Sequence, residues 1–211
     1  MAHQAFVYTE LQLSVPFDQA PWREVNRALL KQPGLRNKTW LAGLGNHSLG
    51  GLYTFDSLAD ATAFVTGYFP AEAARFGTAQ TTRVFDATVV EEASRQMDSP
   101  HFGHRLEQRP GAFVYTEVQI SVPFAEAPWR DLNPMLKRQP GILTKTWLSG
   151  YRTNSVGGFY AFTDLDSATA FAHHQFPKEA ATFDAAFYTR VFDAAQVAEA
   201  SRELHSPFFV S

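Results

Sequence analysis

Apolar and polar residues alternate from Phe6 to Val15. Val7, Thr9, Leu11, Leu13 and Val15 fall on one face, and Tyr8, Glu10, Gln12 and Ser14 on the other, the pattern of a strand with two unlike faces. Pro16 ends it. From Ala20 to Gln32 the period changes to that of a helix, with Trp22, Val25 and Leu29 on one stripe, Pro21 in the first turn and Pro33-Gly34 as the stop. Strands are expected over Leu35–Gly43 and Gly50–Phe55, joined by a turn at Gly45-Asn46. Ser57 caps a second helix with Leu58, Ala61, Phe64 and Val65 on its buried side. Tyr68-Phe69-Pro70 is expected to break it and to start a short helix ending at Phe76. A last strand, Thr78–Asp86, and a helix, Thr88–Met97, complete the unit.

The whole pattern then repeats. Phe6-Val7-Tyr8-Thr9-Glu10 returns as Phe113-Val114-Tyr115-Thr116-Glu117, and the register holds without a gap to Phe102 and Phe209, with more than half the positions identical. A repeat of this length is a small domain rather than a solenoid unit. Two tandem units are expected, 1–102 and 113–211, with the polar, Gly- and Pro-bounded segment 103–112 as linker. The order β-α-β-β-α-β within each unit is the ferredoxin-like arrangement, an antiparallel sheet with both helices on one face. The class is α+β, and the uncovered faces of two such sheets can close on each other as a barrel within one chain.

Composition narrows the function. Of 211 residues 45% are hydrophobic, enough for a real core, and a formal net charge of −3 with scattered Lys and Arg gives no footprint for nucleic acid or an anionic membrane surface. The absence of cysteine removes thiolate nucleophiles and Cys-ligated metals. No signal-peptide pattern or membrane-length apolar run is visible, so a cytoplasmic protein is expected. The 19 Phe, 7 Tyr and 4 Trp can fill a core or wall a pocket for a flat apolar ligand.

The repeated strings Lys38-Thr39-Trp40, Gly50-Gly51-Leu52-Tyr53-Thr54-Phe55 and Thr82-Arg83-Val84-Phe85-Asp86 carry a resemblance. With their second-copy counterparts they resemble the YdhR-type mono-oxygenase-like family of the dimeric α+β barrel superfamily, over nearly all of each repeat. The resemblance implies that a family dimer is reproduced here as an intramolecular pair, with further homodimerisation open. It also implies small-molecule chemistry: cofactor-independent mono-oxygenation of a quinol- or polyketide-like substrate, haem degradation, or an isomerase or lyase reaction. A non-catalytic ligand-binding or stress-associated protein and a filled, purely structural barrel are the rival readings.

The residues offer a matching constellation. Tyr8, Glu10 and Gln12, with Tyr115, Glu117 and Gln119, are expected to face the barrel interior. Lys38 and Trp40 share a strand face, as do Lys145 and Trp147, and Arg83 and Arg190 stand beside Phe85 and Phe192. Glu10 and Glu117 are the candidate bases, paired with Lys38 or Arg83 and with Lys145 or Arg190, the cations stabilising developing negative charge. Tyr8, Gln12, Trp40, Tyr53, Tyr115, Gln119, Trp147 and Tyr160 are the candidate substrate contacts. The bland alternative is that these charges form structural ion pairs.

No metal is expected, since His173 and His174 are helix neighbours pointing about 100° apart and no metal-ligand spacing occurs. A single haem-facing histidine there is left open. No nucleotide-binding loop or nucleophile elbow is present, which fits a reaction without a bound cofactor. The second copy replaces Leu44-Gly45 by Tyr151-Arg152, Thr66-Gly67 by His173-His174 and Gln80-Thr81 by Phe187-Tyr188. These added groups make the second pocket the expected active one.

Overall fold

The computed structural model describes residues 4–13, 15–120 and 122–210. Ser14, expected on the polar face of the first strand, lies outside the described residues. The first repeat runs β1 (Ala5–Leu11), α1 (Trp22–Leu29), β2 (Leu35–Ala42), β3 (Leu49–Phe55), α2 (Leu58–Ala63), α3 (Phe69–Phe76), β4 (Gln80–Asp86) and α4 (Glu91–Gln96). The second runs β5 (Ala112–Gln119), α5 (Trp129–Leu136), β6 (Ile142–Ser149), β7 (Ser155–Phe162), α6 (Leu165–Ala170), α7 (Phe176–Ala181), β8 (Phe187–Asp193) and α8 (Ala198–Glu203). Each repeat builds one four-stranded antiparallel sheet, ordered β2-β3-β1-β4 and β6-β7-β5-β8. These are two tandem ferredoxin-like units of an α+β fold.

Two local expectations need correcting. The first strand ends at Leu11 rather than Val15. The second helix is not broken at Tyr68-Phe69-Pro70. Between α2 and α3 the chain widens into a π-helical turn, Phe64–Tyr68, and α3 continues from it. Pro70 brings no N–H and would clash with a carbonyl one turn back, and a widened turn relieves that without ending the helix. The same turn recurs at Phe171–Gln175, ahead of Pro177. Ser57 does cap α2, its side chain accepting from the Asp60 N–H.

The compact units also depart from the halves of the sequence. One comprises residues 1–88 with 196–211, the other 89–195. The expected boundaries at 102, 103–112 and 113 therefore do not mark the units, and Ala112 already belongs to β5. The physical reason lies at the sheet edge. β2 is an edge strand with backbone groups to satisfy. Within the first unit it is covered by the C-terminal tail: Lys38 N–H donates to Leu204 O at 3.0 Å, Trp40 N–H to Ser201 Oγ at 2.9 Å, and Thr39 Oγ1 meets Ser206 Oγ at 2.8 Å. Within the second unit α4 and the turn after it do the same for β6, through Lys145 N–H to Met97 O, Trp147 N–H to Ser94 Oγ and Ser99 Oγ to Thr146 Oγ1. Each repeat's tail thus serves the other repeat's sheet.

The core of each unit is aromatic. Phe55, Tyr53, Phe64 and Phe69 pack ring against ring between sheet and helices, as do Phe162, Tyr160, Phe171 and Phe176. No helix among the described residues is long and apolar enough to cross a membrane.

Candidate functional site

Strand register explains the repeated Lys-Thr-Trp and Gly-Gly strings. Lys38 lies opposite Tyr53 and Trp40 opposite Gly51. The lysine stem crosses Gly51: a Cβ there would stand 2.5 Å from Lys38 Cε. The missing side chain lets Nζ reach the indole face of Trp40, 2.9 Å from the ring centroid, with the Tyr53 ring at 4.9 Å. In the second unit Lys145 crosses Gly158 in the same way and stands 2.9 Å from the Trp147 centroid and 4.8 Å from that of Tyr160. Gly50 serves a different need, because its Cβ would meet the Thr9 carbonyl oxygen at 2.0 Å.

The indole is held from two sides. Trp40 Nε1–H donates to Asn26 Oδ1 on α1 at 2.8 Å, while Asn26 Nδ2 donates to Ala200 O and to Glu203 Oε2 of the tail, both at 3.0 Å. Trp147 and Asn133 repeat the arrangement, with Asn133 donating to Ala93 O.

Over this floor lies a cavity lined by Thr9, Leu11, Lys38, Trp40, Tyr53, Phe69, Glu72 and Phe76, with Pro21 and Val25 of the first helical region. The space open to the centre of a water-sized sphere is ≈ 30 Å³, and all space between the atoms, mouth included, is ≈ 400 Å³. The second unit has the equivalent cavity, ≈ 30 Å³ and ≈ 370 Å³ on the same two measures, lined among others by Thr116, Lys145, Trp147, Tyr160, Phe176 and Glu179. Each deep space admits one or two waters or a very small molecule.

The electrostatics favour neutral groups. Lys38 is 2% exposed, and no hydrogen bond or ion pair reaches its Nζ among the described residues. Burial pushes its amine well below the ordinary lysine range, against a smaller opposing pull from Glu72. Glu72 is pushed up by burial, partly offset by Lys38 and by the Tyr68 phenol. Burial raises the phenols of Tyr53 and Tyr68. Lys145 falls and Glu179 rises for the same leading cause. Burial thus works against charge on both the amine and the carboxyl that line the cavity, while the indole face under Nζ works the other way for the amine.

The expected constellation is split by the sheet. Tyr8, Glu10 and Gln12 project from the face opposite the cavity. There Tyr8 Oη donates to Glu10 Oε2 at 2.7 Å and Gln12 Nε2 to Glu10 Oε1 at 3.2 Å. Tyr115, Glu117 and Gln119 repeat this at 2.6 and 2.8 Å. The expected pairing of Glu10 with Lys38, and of Glu117 with Lys145, therefore does not form: successive strand residues point to opposite faces, and the bulge between Leu35 and Asn37 sets Lys38 on the helix side. Arg83 shares the Tyr8 face by register but is exposed and donates to Thr82 O, and Arg190 lies 4.9 Å from the Tyr188 ring. Of the residues proposed from sequence, the cavity gathers Lys38, Trp40 and Tyr53, and Lys145, Trp147 and Tyr160.

Sequence reasoning missed Glu72, Glu179, Asn26 and Asn133. A signal was present. Glu72 recurs as Glu179 and Asn26 as Asn133, and Asn26 sits on the Trp22–Leu29 apolar stripe, where a polar residue needs a buried partner. The second-copy residues expected to enrich its pocket, Tyr151, Arg152, His173, His174, Phe187 and Tyr188, do not line it. His173 and His174 are exposed on the π turn. Among the described residues no histidine lines either cavity.

No protein-family model matches the chain, and no curated protein sequence matches it. Solved structures do. An anthrone oxidase-like protein is similar at 13% identity, covering 90% of this chain and 91% of its own, with a TM-score of 0.57. A mutant chlorite dismutase of Candidatus Nitrospira defluvii matches at 11% identity, 98% and 95% coverage and a TM-score of 0.53. A protein of Fusobacterium nucleatum subsp. nucleatum titled "Putative monooxygenase" matches at 10% identity, 91% and 92% coverage and a TM-score of 0.50. At these identities the likeness establishes a shared α+β fold.

Proposed function

We propose that the chain is a small-molecule enzyme of mono-oxygenase type, related to the YdhR-like proteins, whose reacting groups are Lys38 with Glu72 and Lys145 with Glu179. The observation that carries this reading is a buried lysine without a hydrogen bond among the described residues, laid across a tryptophan in an aromatic cavity that also contains a glutamate, and built twice. A neutral amine is a competent base for an acidic O–H or C–H of a quinol-like substrate. A carboxyl whose protonated form burial favours can donate a hydrogen bond to the oxygen on which charge then develops. The resulting electron-rich anion meets dioxygen directly. The carboxylate of this chemistry is thus Glu72 or Glu179 rather than Glu10 or Glu117. An isomerase or lyase reaction would share the first step.

The narrow deep space admits only the leading edge of a single ring, the rest of such a substrate lying in the wider mouth. The same narrowness favours a second reading, in which the cavity only holds a small ligand and the Lys–Glu pair is a structural device. Oxygen uptake with monocyclic quinols separates the two. Turnover that falls at least about 100-fold in the Lys38→Met/Lys145→Met double variant, with the fold intact by circular dichroism, supports the enzyme. Undiminished turnover in that variant removes these lysines from the reaction.

A further inference from the structure

An amine so placed has a second chemistry, which needs no oxygen. Lys38 Nζ touches an indole face, carries no hydrogen bond or ion pair among the described residues, and shares a cavity with Glu72; its stem is locked in the slot left by Gly51. Lys145, Gly158 and Glu179 reproduce the set. The exposed lysines, Lys31, Lys137 and Lys178, have no such enclosure, and Lys137 is ion-paired with Asp98 at 2.7 Å. We propose that Lys38 and Lys145 are nucleophiles that capture short-chain aldehydes as imines inside these cavities.

The step balances without an oxidant. The Nζ lone pair attacks the carbonyl carbon, the C=O π pair moves to oxygen, and the nitrogen proton passes to that oxygen. The carbinolamine then loses its hydroxyl as water, taking the carboxyl proton of Glu72 or Glu179, while the nitrogen lone pair forms C=N. The iminium proton returns to the carboxylate, so amine and aldehyde give imine and water, and nothing is oxidised. The cavity suits this class: its deep space is ≈ 30 Å³, its walls are aromatic, and it presents no fixed cation for an acid. Burial shifts the amine toward its unprotonated form, with its lone pair available, to a degree that an exposed lysine does not share.

The inference uses the same lysines as the proposed enzyme but does not depend on oxygen chemistry. The test incubates the full chain with acetaldehyde and cyanoborohydride at pH 7 and maps alkylated lysines by peptide mass spectrometry. The expected result is modification of Lys38 and Lys145 at least about tenfold faster than Lys31 and Lys178, a preference lost in denaturant. Between pH 9 and pH 7 the exposed lysines should slow about tenfold per unit, and the two buried ones much less. Glu72→Gln should slow labelling at Lys38 while Lys145 in the same molecule keeps its rate. Labelling of Lys38 and Lys145 no faster than that of Lys31 overturns the proposal, as does a pH dependence equal to that of Lys31. Selective labelling without oxygen uptake sinks only the mono-oxygenase reading, and uptake without selective labelling sinks only this one.

Discussion

In the first unit Lys38 stands 2.9 Å from the centroid of Trp40, with Gly51 beneath and Asn26 steering the indole; in the second, Lys145 stands 2.9 Å from Trp147, with Gly158 and Asn133. The mouths differ. The Tyr68 phenol acts on Glu72, and just outside lies a groove where Arg75 pairs with Glu24 at 3.2 Å. The corresponding positions of the second repeat are Gln175, Thr182 and Asp131, so no phenol and no arginine stand there. Asn26 also reaches Glu203, whose counterpart is Gln96. Two copies of one sequence have kept the floor that places the amine and changed the groups that tune and admit. The floor is where a residue change collides with backbone or aromatic rings. The rim faces water and tolerates change.

The strongest test of a shared floor is steric. Gly50→Ala and Gly157→Ala each put a methyl group 2.0 Å from a backbone carbonyl oxygen, that of Thr9 or Thr116, so the central strand pair must shift. Each should cost about 3 kcal/mol, at the upper end for overpacked cores, and the two losses should agree. Urea denaturation of both variants measures this. A large loss from one and none from the other would break the equivalence.

Next come the asparagines that fix the indoles. Asn26→Ala leaves the Trp40 Nε1–H and the Ala200 carbonyl without this partner and also frees Glu203, whereas Asn133→Ala strands only Trp147 and Ala93 O. Each should cost about 2–3 kcal/mol, with Asn26→Ala the worse by roughly 1 kcal/mol for its additional charged acceptor. The same denaturation assay ranks them, and equal costs would mean that the extra bond to Glu203 contributes nothing.

The element order was legible in the sequence because alternation and helical period are one-dimensional signals of burial. The π turn was not, since a proline inside a helical pattern looks like an end whether the helix stops or widens. Lys38 and Trp40 were recognisable as neighbours on one face, but which face depended on the bulge at Leu35/Asn37 and on the helix packing, neither of which leaves a local mark. Glu10 drew attention because a carboxylate on a buried strand demands a partner. Its partners proved to be Tyr8 and Gln12 on either side along the same face of the strand. The tail exchange was hidden for another reason: two near-identical repeats give identical local patterns whichever sheet a tail covers.

A smaller effect concerns pH. Lys38 binds a proton less readily in the fold than in the unfolded chain, whose lysine keeps an ordinary value near 10.5. Between the lowered folded value and 10.5 the unfolded state therefore holds more protons, and stability contributed by this group rises with pH. Glu72, raised above 4.5, acts oppositely in the acid range: above the ordinary value the fold holds more protons, so its contribution falls as pH climbs toward the raised value. Wild-type stability should thus increase from neutral toward alkaline pH. Lys38→Met should remove part of that increase and the double Lys→Met variant nearly all of it. Denaturation midpoints at pH 7 and 9.5 report the sign, and a double variant with an unchanged alkaline rise would show that other groups cause it.

The finest distinction between the cavities is the phenol at Glu72. The Tyr68 phenol lowers the Glu72 pKa from where burial alone would set it, and the second repeat has Gln175 at that position. Tyr68→Phe should accordingly raise the Glu72 pKa, with little change in stability. Gln175→Tyr should lower that of Glu179 if the new ring settles as Tyr68 does. Carboxyl carbon shifts in a glutamate-labelled sample follow both sites in one titration. A fall for Glu72 in Tyr68→Phe would reverse the assignment, because it would mean that the phenol had been holding the carboxyl in its protonated form.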